Sequence, residues 1–66
     1  MAVSIVIEVL ANSNVSWEDA TRNAVKHAAK SVKQIRSVYV NEQSASVDGD
    51  SITEFRVNVK ITFEVK

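Results

Sequence analysis

The chain has 66 residues, with eight basic and eight acidic side chains, one glycine, and neither proline nor cysteine. That length holds one domain whose core only just offsets a chain-entropy cost of roughly 1–2 kcal/mol per ordered residue. Without cysteine, disulfides and thiolate metal sites cannot staple it, so self-association is the remaining common route to stability. The balanced charge argues against a nucleic-acid partner. No apolar run approaches the roughly 20 residues of a membrane span, and the N-terminus lacks the pattern of a secretion signal. The expectation is a cytoplasmic protein with no membrane partner.

In chain order, "VSIVIEVL" is rich in β-branched residues and predicts a strand over about residues 2–10, with Val3, Ile5, Ile7 and Val9 on one face. "ANSN" reads as a turn. Ser16 follows as a helix N-cap, with Asp19 in a weak capping box and Val15 placed to staple against Ala20. Apolar residues at Trp17, Ala20, Ala24, Val25, Ala28, Val32 and Ile35 form a helical stripe, predicting a helix over about 16–34. Glu18 and Asp19 near its start, and Lys30 and Lys33 near its end, suit the helix dipole. Arg22 can meet Glu18 one turn away.

"SVYVNEQSASV" predicts a second strand over about 36–48. Its alternation breaks, and a bulge near Asn41 to Ser44 would reconcile the two halves. "VDGDS" carries the Asp-Gly pair of tight hairpin turns. A third strand over about 51–65 alternates cleanly, with Phe55, Val57, Val59, Ile61, Phe63 and Val65 on one face. The order is β-α-β-β, an α+β chain. A helix of about 18 residues spans roughly 27 Å, whereas a strand of about 14 spans roughly 46 Å. One helix cannot cover that strand, so Phe63 and Val65 must be buried by another copy or left as an exposed patch.

Candidate chemistry is sparse. His27 is the only histidine, and a lone one supplies neither a triad nor a metal site within a chain; it reads as a helix-surface or interface residue. Nothing resembles a nucleophile triad or a Gly-rich phosphate loop, so no enzyme is expected. Glu42, Asp48, Asp50 and Glu54 are hard oxygen ligands suited to a cation such as calcium, in a site completed by another subunit, although a solvated hairpin turn is the simpler account of the two aspartates. Arg22, Lys26 and Lys30, with Lys33 alongside, form a basic stripe that suits solvent or an anionic ligand. Trp17 reads as a core anchor. Tyr39 falls on the polar side of the sheet, where an aromatic hydroxyl can face a ligand or an interface.

Taken whole, "ANSNVSWEDATRNAVKHAAKSVKQIRSV" and "VDGDSITEFRVNVKITFEV" resemble the dodecins. The resemblance implies a three-stranded antiparallel sheet partly wrapped around one helix, a hollow homododecamer, and a binding or storage role for a small ligand or cation. Flavin-binding dodecins stack their ligand on a tryptophan after the helix and hold it with a glutamine on the closing strand. Those positions fall here on Ser37 and Arg56, so both signature residues are replaced. The chain is more similar to the calcium-binding branch, which keeps the Ser-Trp-acidic helix start and lacks the flavin tryptophan. The ligands implied are calcium, a flavin such as FMN or riboflavin, or coenzyme A. The alternatives to a calcium or small-ligand store are a flavin store with an altered pocket and a shell without ligand.

Overall fold

The structure, a computed structural model, describes residues 3–65. It runs β1 (Val3–Ser13), α1 (Trp17–Ala28), β2 (Ile35–Asp48) and β3 (Ser51–Val65). Both strand pairings are antiparallel and the sheet order is β1-β3-β2. The most regularly alternating segment of the sequence is thus the central strand. Its apolar face meets the helix: Val57, Val59 and Ile61 are buried against Ala20, Ala24 and Ala28, with Ile7, Val9, Ala11, Val25 and Val40 packed around them. Alanine at every buried helix position lets the helix backbone lie close to the sheet. Arg56, Asn58, Lys60 and Thr62 alternate onto the opposite, outer face.

The expected strand over 2–10 extends to Ser13, so the sequence read as a turn is largely strand, because Ala11, Asn12 and Ser13 pair with Val57, Arg56 and Phe55. Residue 2, where that strand was expected to begin, lies outside the described residues. Ser16 caps the helix as expected, accepting the Asp19 backbone N–H at 2.9 Å. The other half of the capping box is redirected: the Asp19 carboxylate accepts the Ser13 hydroxyl at 2.6 Å, and the Ser13 oxygen accepts the Val15 N–H at 2.9 Å. Buried Ser13 thereby ties the end of β1 to the first turn of the helix. Val15 is 67% exposed and makes no staple.

The helix is shorter than expected. It ends at Ala28, not near residue 34, leaving Lys26 and His27 in the last turn. Lys30 and Ser31 donate to His27 and Ala28, three residues back, which tightens and closes the helix. The chain then reverses through Gln34 at φ 61°, a left-handed conformation in a non-glycine residue. The Gln34 carbonyl accepts the Glu64 N–H at 3.1 Å, which pins the corner to β3. Val32 and Ile35 still reach the core from outside the helix, which explains why the apolar stripe appeared continuous.

β2 starts at Ile35 and carries a bulge at Asn41, where Val40 opposes Val59 but Glu42 opposes Asn58. The bulge keeps Val38, Val40, Gln43 and Ala45 on the helix side, opposite Ile61, Val59, Val57 and Phe55, as the broken alternation implied. Two further irregularities lie between Ile35 and Ser37 and between Ser46 and Val47. The hairpin loop is Gly49-Asp50, with Gly49 at φ 66° in the first central position. This is the glycine-first arrangement of a II′ turn, not the Asp-Gly arrangement of a I′ turn.

The molecule is drawn out, with extents of 52 × 19 × 13 Å. Its radius of gyration is 13.6 Å, against about 10.8 Å for a compact chain of this length. Its accessible surface is 4788 Å² for 7.3 kDa, against about 4,200 Å² for a folded monomer of that mass. The 12-residue helix covers only the middle of the 15-residue β3. Val3, Ile5 and Val65 beyond one end of it, and Val47 and Ile52 beyond the other, are 40–64% exposed.

The left-handed Gln34 generates a stability prediction. Gln34→Val, which puts a β-branched side chain into a positive-φ residue, lowers stability by about 1–2 kcal/mol, whereas Gln34→Gly raises it by about 0.5 kcal/mol. Thermal unfolding of the three proteins at one fixed protein concentration gives the order Gly, Gln, Val.

Candidate functional site

The outer face of the sheet reads as cross-strand rows. Asn12, Arg56 and Ser44 form one, Leu10, Asn58 and Glu42 the next, then Glu8, Lys60 and Tyr39, then Val6, Thr62 and Ser37. Successive rows are about 6.6 Å apart. Ser37, Tyr39 and Arg56 therefore share a face, as expected, but do not meet: Ser37 lies three rows from Arg56, about 20 Å away. Tyr39 is the aromatic nearest Ser37 on that face and is 64% exposed.

A depression of about 440 Å³ lies across the first two rows, lined by Leu10, Asn12, Glu42, Ser44, Arg56 and Asn58. It brings together Arg56 and Glu42 from the expected set. Among the described residues no carboxylate lies within ion-pair distance of Arg56, because Glu54 instead accepts the Asn12 amide at 3.2 Å. The Asn58 Oδ1 is buried with no hydrogen-bond partner among the described residues, and Leu10 beside it is 77% exposed. An uncovered leucine and an unsatisfied buried acceptor on one patch are what a partially built site leaves when the rest comes from outside the chain. Asn58 was missed in the sequence because an asparagine on a polar strand face looks solvated; only the register reveals its position between Leu10 and Glu42.

The four candidate cation ligands do not converge. Glu42 sits in the depression, Glu54 two rows away along β3, and Asp48 and Asp50 at the hairpin tip. Among the described residues no three His, Asp or Glu side chains are grouped so as to hold a metal ion. Oxygen ligands of a hard cation surround it on several sides, and these four carboxylates do not meet around one point within a chain.

On the helix side, α1 lies over β1 and β3 and barely touches β2. This leaves a groove of about 530 Å³ floored by Trp17, Val25, Val38 and Val40 and rimmed by Arg22 and Lys26. Arg22 is engaged by Glu18 at 2.9 Å, the expected one-turn pair. The remaining stripe residues, Lys26 and Lys30, form no ion pair among the described residues. Trp17 is the anchor the sequence suggested. Its ring stands edge-on to Phe55 at 4.9 Å, and its Nε1 donates to the Ser44 carbonyl at 2.9 Å, fastening the helix start to β2 and β3. His27 is on the exposed helix surface.

These features define a small β-α-β-β sheet protein with a mixed polar face and an open groove. The chain belongs to the dodecin family, whose model, described as Dodecin, matches residues 3–66. It is 35% identical over 66 residues to the calcium dodecin of Mycobacterium tuberculosis, covering 100% of this chain and 93% of that protein. A crystal structure from the same organism, described as a calcium-chelating immunodominant antigen with a novel calcium-binding site, superposes with a TM-score of 0.82 over 97% of this chain and 91% of that one, at 35% identity. A point variant of the Thermus thermophilus dodecin gives a TM-score of 0.94 at 20% identity, covering 100% and 98% of the two chains. The Streptomyces coelicolor dodecin gives 0.91 at 22% identity, covering 98% and 93%. The last two bear on the fold alone. No helix among the described residues is long and apolar enough to cross a membrane.

The Trp17 anchor can be divided experimentally. Trp17→Phe keeps a ring against Phe55 but removes the bond to Ser44, and lowers stability by about 1 kcal/mol. Trp17→Ala removes both and costs about 3 kcal/mol or more. Urea denaturation followed by circular dichroism resolves the two steps.

Proposed function

We propose that the chain is a non-enzymatic, cytoplasmic binding or storage protein that assembles as a hollow homododecamer and holds a cation, calcium in the first instance, or a small ligand at sites built between copies. The observation that carries this reading is the full-length relationship to a calcium dodecin, at 35% identity over 66 residues. The geometry supports the placement between copies. The carboxylates are dispersed along one chain, the outer-face depression is partially built, and the exposed apolar ends and excess surface call for partners. Glu42, at the depression, and Glu54, two rows away, are the candidate cation ligands on the outer face.

Native mass measurement at micromolar concentration gives about 88 kDa, twelve copies of the 7.3 kDa chain; a folded monomer overturns the assembly. Calorimetric titration with Ca²⁺ gives binding heat, and the thermal midpoint rises with calcium and falls back when a chelator removes it, as linkage requires. Glu42→Gln together with Glu54→Gln weakens calcium binding at least about tenfold, because hard cations need charged oxygen ligands. Absence of heat and of any thermal shift rules out the cation.

The exposed ring of Tyr39 beside Ser37 favours one second reading, a flavin store with an altered pocket. A freshly purified protein that is yellow with quenched flavin emission establishes it. On that reading Ser37→Trp with Arg56→Gln strengthens flavin binding by roughly two- to tenfold, the gain of a stacking ring, and only in the assembled protein, since the two positions are too far apart in one chain.

A further inference from the structure

The β2–β3 hairpin tip and the α1/β2 groove are complementary surfaces of the same chain. β1 ends opposite Phe55 and reaches Glu54 only through the Asn12 side chain, so from Val47 to Thr53 the hairpin is a two-stranded ribbon with no third strand paired beside it. A two-stranded ribbon is marginal by itself in water. This one carries a cross-strand apolar pair, Val47 and Ile52, exposed at 64% and 51%. Its turn adds Asp48 and Asp50, which form no ion pair among the described residues.

The groove has the opposite character. Its floor is the apolar set of Trp17, Val25, Val38 and Val40, uncovered because the helix sits towards β1. On its rim Glu18 is taken up by Arg22 at 2.9 Å, Lys26 is unpaired among the described residues, and Lys30 lies four residues further on, in the turn that closes the helix. A volume of about 530 Å³ accommodates two aliphatic side chains with room for their backbone. The chain's own tip cannot fill it: Val47 lies about 23 Å beyond Val40 along one extended strand.

We propose that the hairpin tip of one copy docks in the α1/β2 groove of the next, with Val47 and Ile52 on the apolar floor and Asp48 and Asp50 against Lys26 and Lys30. Donor and acceptor are different patches of the same chain, so the contact is head-to-tail and closes into a ring when the rotation permits. The inference rests on the proposed assembly. It also withdraws Asp48 and Asp50 from cation binding and leaves that role to Glu42 and Glu54.

Charge exchange tests it. Asp48→Lys with Asp50→Lys, or Lys26→Glu with Lys30→Glu, places like charges across the contact and weakens assembly at least about tenfold by sedimentation velocity. Combining all four substitutions restores assembly to near the wild-type level, which a cation bridging carboxylates or a general loss of folding does not do; circular dichroism checks that each variant is folded. In a chain with no native cysteine, Ile52→Cys with Val25→Cys forms intermolecular disulfides on mild oxidation, and neither single variant gives the same ladder. Wild-type assembly that persists in both reversed variants, with no cross-link, overturns the hairpin docking and leaves the assembly standing. A monomeric wild type overturns both. Binding of anilinonaphthalene sulfonate to the intact assembly with quenching of Trp17 emission gives the groove to an amphiphilic anion and also overturns the docking; the proposal expects that binding only in the dissociated variants.

Discussion

Everything else in this molecule depends on a short helix seated on a long strand. Ala20, Ala24 and Ala28 contact Val57, Val59 and Ile61, and that contact is close because the helix offers no larger side chain at its buried positions. It is also brief. A helix of 12 residues rises about 18 Å, and a strand of 15 residues runs about 50 Å. The buried core is therefore a band across the middle of the sheet. Apolar residues that continue the alternation beyond that band remain on the surface, and the surface area and radius of gyration both record it.

The helix is held in place at its ends by polar groups, and these are what the sequence reveals least. At its start, the N-cap at Ser16 follows from residue type, and the role of Trp17 from its place in the stripe. The Ser13–Asp19 bond does not, because Asp19 has two attractive acceptor roles and only the course of β1 decides between them. At its end, the residue that turns the chain is a glutamine in a conformation for which glycine is the usual signal. With no Gly or Pro to mark a stop, and with Val32 and Ile35 reaching the core from the connecting segment, helical spacing runs on six residues past the helix end at Ala28. The element order and the bulge near Asn41 were legible because each rests on alternation, which burial on one face enforces, whereas the antiparallel three-stranded sheet was implied only by the family resemblance, and its order β1-β3-β2 comes from the structure.

The candidate site divides along the same line. That Ser37, Tyr39 and Arg56 share a face follows from strand parity and the bulge. That they are spread over three rows follows from register, which parity leaves undetermined. The four carboxylates seemed a group because they are close in sequence, yet residues around a hairpin separate quickly in space: Glu42 and Glu54 lie on the outer face two rows apart, while Asp48 and Asp50 stand at the tip. Asn58 shows the reverse case, a residue without sequence distinction whose buried oxygen becomes conspicuous once its neighbours across the sheet are known.

The two faces of the sheet have different requirements, and this bears on how copies can combine. The helix side presents apolar residues beyond both helix ends and a groove over β2, surfaces that favour burial of aliphatic groups. The outer side mixes Val6, Leu10 and Tyr39 with Glu8, Glu42, Arg56 and Lys60, a composition suited to a wet interface or to a polar ligand. A closed assembly of twelve copies needs more than one kind of contact: head-to-tail contacts make rings, and self-complementary contacts join rings to one another. Hairpin and groove can supply only the first kind, because they are different patches. The outer face, which can meet its own copy across a two-fold axis, is the surface left for the second. In the proposed assembly a ligand at that contact would be touched by two copies at once, and residues about 20 Å apart in one chain would then belong to a single site.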